Sequence, residues 1–163
     1  MLREAFEHLV VRAGEEISRH YGERLVSLAV FGSVARGTPG PFSDIDLLVV
    51  ADPLPAGRVR RIEEFRAIED RLGEEIRALG RQGIHTDLAP VFKTPAEVLM
   101  GSPLFLDMVE EARILFDRGR FLSDYLAKLR RSLGRTGARK VRWRGAWYWD
   151  LTPHFDWKDV MRA

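Results

Sequence analysis

Apolar residues recur at Leu2, Phe6, Leu9, Val10, Ala13, Ile17 and Tyr21, the three-and-four spacing of a helix with one buried face, and Gly22 ends it. Arg24 to Phe31 is rich in β-formers and runs into Gly32-Ser33. A loop containing Gly and Pro then separates it from a second strand, Asp44 to Ala51. Pro53 and Pro55 break the chain. A long amphipathic helix follows from about Arg58 to Leu79, with Val59, Ile62, Phe65, Leu72, Ile76 and Leu79 on its inner face, and Gly80 and Gly83 mark its end. Ile84 to Phe92 reads as a third strand. Pro90 places it at a sheet edge, because proline cannot donate to a central ladder.

Thr94-Pro95-Ala96-Glu97 spells an N-cap, a proline in the first turn and a glutamate three residues after the cap, so a new helix starts there. Helical patterns continue over Pro103 to Ala112 and Leu122 to Leu133, on either side of a short apolar piece, Ile114 to Phe116. Arg139 to Leu151 alternates like a single strand. The expected fold class is α/β (α+β): a mixed β-sheet with flanking helices and a C-terminal helical and strand extension. Residues 1–100 are expected to form the core domain and 101–163 the extension packed on it, as one globular unit without repeats or a long linker.

Composition narrows the chemistry. The 163 residues contain no cysteine, which excludes disulfides, thiolate zinc sites and a cysteine nucleophile. Asparagine is absent and Gln82 is the only glutamine, a usage that fits either a hot habitat or a GC-rich genome. No apolar run reaches the length of a membrane span and the N-terminal helix carries acids, so a cytoplasmic chain without membrane association is expected.

A net charge of +2 is small, yet Lys128 to Arg144 holds eight Lys or Arg residues and no acid. Taken as one strand, the tail puts Val141, Trp143, Trp147 and Trp149 on one face and Lys140, Arg142 and Arg144 on the other. The tryptophans are then expected to cover the core, with the cations rimming a triphosphate or an acidic partner. A nucleic-acid platform is the less favoured alternative.

The stretch FGSVARGTPGPFSDIDLLVV concentrates the candidate chemistry. Asp44 and Asp46 share one strand face by the two-residue period, and carboxylates so close either share a proton or hold divalent cations, magnesium being the natural ligand beside a phosphate. Gly32-Ser33 ends the preceding strand, where a tight turn can present backbone N–H groups and a hydroxyl to an anion. GSVARG lacks the Gly-Lys-Ser/Thr ending of a P-loop, and no Gly-x-Gly-x-x-Gly follows a strand.

Gly32-Ser33, ten residues, then Asp44-Ile45-Asp46 resembles the signature of the polymerase-beta-like nucleotidyltransferase superfamily. The short spacer is most similar to that of the minimal nucleotidyltransferases, which include antitoxins of toxin-antitoxin pairs acting on a HEPN-type partner. The resemblance implies a nucleotidyltransferase fold in which Gly32 and Ser33 bind nucleotide phosphates and Asp44 and Asp46 hold two magnesium ions. A third metal-binding and catalytic carboxylate is implied, for which Asp87 in IHTDLAPVF is the candidate; Arg36 in the turn is a candidate phosphate ligand.

The implied activity is transfer of a nucleoside monophosphate, AMP from ATP foremost, from an NTP to an acceptor hydroxyl with release of pyrophosphate. Two alternatives stand beside it. One is an antitoxin-like interaction protein that nucleotidylates or neutralises a HEPN-type partner, and the other a non-catalytic nucleotide- or nucleic-acid-binding module. Ser43 is expected to serve the turn, His85 to pack beside the site, and Asp107 and Glu110 to be solvated charges.

Overall fold

The structure is a computed structural model describing residues 1–163. In chain order its elements are helix α1 (Leu2–Tyr21), strand β1 (Leu25–Phe31), the one-turn helix α2 (Gly32–Ala35), β2 (Ile45–Ala51), α3 (Arg58–Arg81), β3 (Leu88–Lys93), α4 (Pro95–Leu99) and α5 (Leu104–Glu111). β4 (Arg113–Asp117), α6 (Phe121–Thr136), β5 (Arg139–Trp143), β6 (Ala146–Asp150) and a closing 3-10 turn at Trp157–Arg162 complete it. The main sheet has the order β3-β2-β1-β4, and β5 and β6 form a separate two-stranded sheet.

Within the main sheet β1 runs antiparallel to both β2 and β4, and β2 runs parallel to β3. The sheet is therefore mixed, as its sequence pattern predicts. β2 is apolar at almost every position because helices cover both faces, and alternate residues serve two cores. Ile45, Leu47 and Val49 join α1 and α3 through Phe6, Leu9, Ile17, Phe65 and Ile68. Leu48 and Val50 join α5 and α6 through Phe105, Met108, Leu122 and Leu129. Asp46 lies on this second face, at the end of the strand where the apolar cover stops.

The box at Thr94 forms as its spelling predicts: Thr94 Oγ1 accepts from the Glu97 N–H at 3.2 Å and Glu97 Oε2 accepts from the Thr94 N–H at 2.9 Å. Glu97 also takes a two-pronged ion pair from Arg61, which clamps the start of α4 to the first turn of α3. No helix is long and apolar enough to cross a membrane.

Three expectations are corrected, the first being Val59, which is 69% exposed and not on the inner face of α3, and one unassigned stretch gains an element. The third strand begins at Leu88 rather than Ile84, because the Ile84 N–H is drawn back to Leu79 at the end of α3 and the His85 N–H to Pro41 in the loop before β2. The apolar piece Ile114 to Phe116 belongs to a strand, β4, held on β1 by its ladder and by Ser27 Oγ donating to Asp117 at 2.7 Å.

The largest correction concerns the tail. It is a hairpin, not a strand: Arg144 and Gly145 both take positive φ, 49° and 83°, the backbone a two-residue hairpin turn demands. Reversal of the chain changes which residues share a face. Lys140 pairs with Trp149 and Arg142 with Trp147, so cations and tryptophans lie together. Trp143 and Trp147 are 63% and 60% exposed and do not cover the core, while Trp149 packs at its margin.

Candidate active site

The end of β1 brings the backbone against a carboxylate. Phe31 and Asp46 are register partners, and Gly32, at φ +71°, turns the chain into α2 directly beside the Asp46 side chain. A Cβ on Gly32 would stand 2.2 Å from Asp46 Oδ2, so only glycine fits this turn, by space and by φ. The turn is closed by the Arg36 N–H donating to Gly32 O at 3.1 Å and the Thr38 N–H to Ser33 O at 3.0 Å. Ser33, half-buried, sits in the first turn of α2, where backbone N–H groups lack helical acceptors.

On the other side, Ser43 Oγ accepts from the Gly40 N–H at 2.9 Å and fixes the loop that enters β2. Asp44 follows it, exposed, with Oδ1 accepting from the Asp87 N–H at 3.1 Å. The Ile45 N–H donates in turn to Asp87 O at 3.0 Å. Asp87 thus lies next to Asp44 just ahead of β3, whereas Asp46 faces Ala89 in the register. The three acids occupy one end of the sheet. Their carboxylates do not converge on a single point, since no three acid or histidine side chains lie close enough together to share an ion.

Burial first, and then the charge of Asp44, push the Asp46 carboxyl above the usual aspartate range; Arg36 opposes this and Glu111 adds to it. Arg36 is itself held by Glu111, Nη1 to Oε2 at 2.7 Å. Glu111 is only 13% exposed at its side chain, so the end of α5 reaches the site through an acid that sequence reasoning passed over. Helical phase could have found it: Glu111 continues the inward row of half-buried Leu104 and buried Met108, whereas Glu110 falls in line with exposed Asp107.

Asp107 and Glu110 stay at the surface, where they meet Trp149 and Lys140 of the hairpin. A cleft of about 580 Å³ opens beside Asp87, with Arg77, Arg81, His85 and Thr86 on its walls. His85 stacks on Phe42 at its rim, ring centroids 5.5 Å apart and nearly parallel, so it packs as expected, though from a loop and not from a strand. Thr86 Oγ1 is buried there without a hydrogen-bond partner.

Two acids beside a glycine turn make this end of the sheet the candidate site, and comparison with known proteins gives the class of the chain. The model of the nucleotidyltransferase domain family matches residues 12–116. A Methanocaldococcus jannaschii protein named "Putative protein adenylyltransferase" is 33% identical over 118 residues, covering 71% of this chain and 75% of that protein. The chain belongs to the nucleotidyltransferase family and is a nucleotidyltransferase.

Among solved structures, a crystal structure of a toxin-antitoxin with AMP-PNP aligns at TM-score 0.47 and 16% identity, over 76% of this chain and 89% of that one. A structure of tri-AMPylated Shewanella oneidensis HEPN toxin in complex with MNT antitoxin aligns at TM-score 0.42 and 15% identity, over 84% and 93%.

Proposed function

We propose that this chain transfers a nucleoside monophosphate, AMP foremost, from a magnesium-bound NTP to a hydroxyl of a protein. The observation that carries the proposal is the placement of the Gly32 backbone against the Asp46 carboxylate, with the Asp44 carboxylate alongside, held by the Asp87 backbone N–H. A phosphate-binding turn and a group of acids then share one end of the sheet.

The donor set suits magnesium. It is all oxygen, and Asp46 is desolvated beside a second negative charge, a state that a bound dication would relieve. Asp44 and Asp46 would hold the ions, with Asp87 completing the set on the acceptor side. Bound there, magnesium supplies charge neutralisation to the triphosphate and to the leaving pyrophosphate.

The chain's own residues do the rest. Gly32 lets the backbone come close enough for the N–H groups of α2 and the Ser33 hydroxyl to meet the β- and γ-phosphates. Arg36, anchored by Glu111, adds a cation at the rim. The acceptor oxygen attacks the α-phosphorus, a new O–P bond forms, and the bond to pyrophosphate breaks. The acceptor proton passes to Asp87 or through it to solvent. No covalent enzyme intermediate is required.

The protein hydroxyl is favoured as acceptor by the name of the archaeal relative, and a HEPN-type partner is the candidate protein that the sequence signature suggests. Titration calorimetry tests the metal requirement: ATP should bind in magnesium or manganese and not in chelator, and equal affinity in both would refute it. Incubation with α-labelled ATP and native lysate tests the acceptor, which should be a labelled polypeptide. Label confined to nucleic acid or small molecules would refute that part.

A further inference from the structure

We propose that the β5–β6 hairpin is a platform for single-stranded RNA. Its tryptophans project from the body of the protein, Trp143 at 63% and Trp147 at 60% exposure, with Tyr148 at 49% between Trp147 and Trp149 in sequence. Each exposed indole has cations against it. Lys140 Nζ and the Arg142 guanidinium lie 5.9 and 5.8 Å from the Trp147 ring centroid, and the Arg144 guanidinium lies 5.6 Å from that of Trp143. Aromatic and cationic groups are therefore interleaved on both faces of the ribbon rather than sorted onto opposite faces.

Half of the hairpin's positive charge is left without an internal partner. Arg139 meets Asp150 and Lys140 meets Asp107 and Glu110, but Arg142 and Arg144 have no carboxylate within ion-pair distance. Trp149 and Lys140 attach the hairpin to α5, which leaves the turn end, with Trp143, Arg144 and Trp147, facing outward.

The ligand must satisfy both features together. An apolar protein face would cover the indoles and strand two unpaired guanidinium groups, which is costly. An acidic peptide would pair the guanidinium groups and leave the ring faces without flat partners. A single nucleic-acid strand offers a phosphate and a π-face in every nucleotide, the combination that stacking platforms recognise, and a duplex hides those faces. Unpaired, splayed bases are what RNA loops and ends present, so RNA is the occupant. This surface lies outside the acids and the Gly32 turn, and binding to it needs neither NTP nor metal.

Fluorescence anisotropy with a labelled, mixed-sequence RNA of about 20 nucleotides, its duplex form and a salt series tests the proposal on the full chain without NTP. Single-stranded RNA should bind, with a log–log salt slope that falls by roughly 1.4 in the Arg142→Ala/Arg144→Ala double variant. Trp147→Ala and Trp143→Ala should each weaken binding at least about fivefold, and Trp147→Tyr should retain most of it. Melting temperatures of all variants should match the parent, since these side chains are exposed.

Absence of binding at low salt, equal binding of the duplex, or indifference to the tryptophan changes would overturn the proposal. Displacement of the RNA by poly-glutamate at equal charge concentration would overturn it in favour of an acidic protein partner. Loss of RNA binding would leave α-labelled ATP transfer as the separate gauge of the active site.

Discussion

The Gly32 Cα and the Asp46 carboxylate are packed so closely that a single methyl group between them would fall 2.2 Å from Asp46 Oδ2. The contact follows from strand register, since Phe31 and Asp46 pair across β1 and β2 and the next residue must turn away at once. A phosphate held by the turn and an ion held by the carboxylate would therefore be neighbours. That proximity is the physical basis of the proposed transfer.

Gly32→Ala should displace either the turn or the carboxylate and also place alanine at a positive φ. A stability loss of about 1–3 kcal/mol and a fall in transfer rate of roughly a hundredfold or more are expected. Thermal melts and single-turnover labelling would measure the two. A variant of parental activity would show that the close approach has no catalytic use.

Asp46 should weaken the metal-free protein at neutral pH. Its folded-state proton affinity is raised, by burial and then by Asp44, so stability is complete while the group is protonated and declines as pH rises from the usual aspartate range through the raised value. Asp46→Asn mimics the protonated form. In chelator its melting temperature should exceed the parent's at pH 7 and converge with it in acid. Magnesium should raise the parent and not the variant. A variant that melts lower than the parent at pH 7 in chelator would mean that the carboxylate is structural.

Glu111→Gln should release Arg36 from its 2.7 Å ion pair. Because Arg36 is half-exposed, stability should change by less than about 1 kcal/mol. The KM for ATP should rise roughly tenfold, about 1.4 kcal/mol of lost positioning. Asp107→Ala and Glu110→Ala, whose side-chain polar partners all lie on the hairpin, should leave KM unchanged, and steady-state kinetics on the three variants would separate the two groups.

Much of this arrangement was legible because local chemistry and tertiary structure agree. The unbroken apolar period gave α1 its bounds, the Thr94 box gave α4 its start, and Pro90 identified the edge strand. Gly32, Asp44 and Asp46 stood out because charge and glycine sit where strand ends require neither. The hidden features depend on contacts distant in sequence. β4 is five residues long and half-exposed, so neither period shows in it. The hairpin was missed because a strand and a tight turn of Arg-Gly preserve the look of alternation while reversing its faces. Glu111 acquires meaning only when α5 docks beside Asp46.

Asp117 should be the acid-labile bolt of the second core. Burial would push its carboxyl up, but hydrogen bonds from Ser123 and Ser27 and from the Leu122 and Ser123 N–H groups outweigh this and hold it below the usual aspartate range. A lowered value contributes stability that is present above the usual aspartate range and is lost as pH falls through the folded-state value. Asp117→Ala should cost about 2–3 kcal/mol at pH 7 and much less at strongly acid pH. Urea unfolding at the two pH values would reveal the difference.

The most direct measurement pairs α-labelled with γ-labelled ATP, in magnesium and in chelator, for the parent, Asp44→Ala and Asp46→Ala. Nucleotidyl transfer at these acids predicts that α-label enters the acceptor while γ-label leaves only as pyrophosphate. Both aspartate changes and chelation should lower the α-label signal by roughly a thousandfold, about 4 kcal/mol of transition-state stabilisation. Transfer of γ-label to the acceptor, or α-label incorporation by either variant at the parental rate, would contradict it.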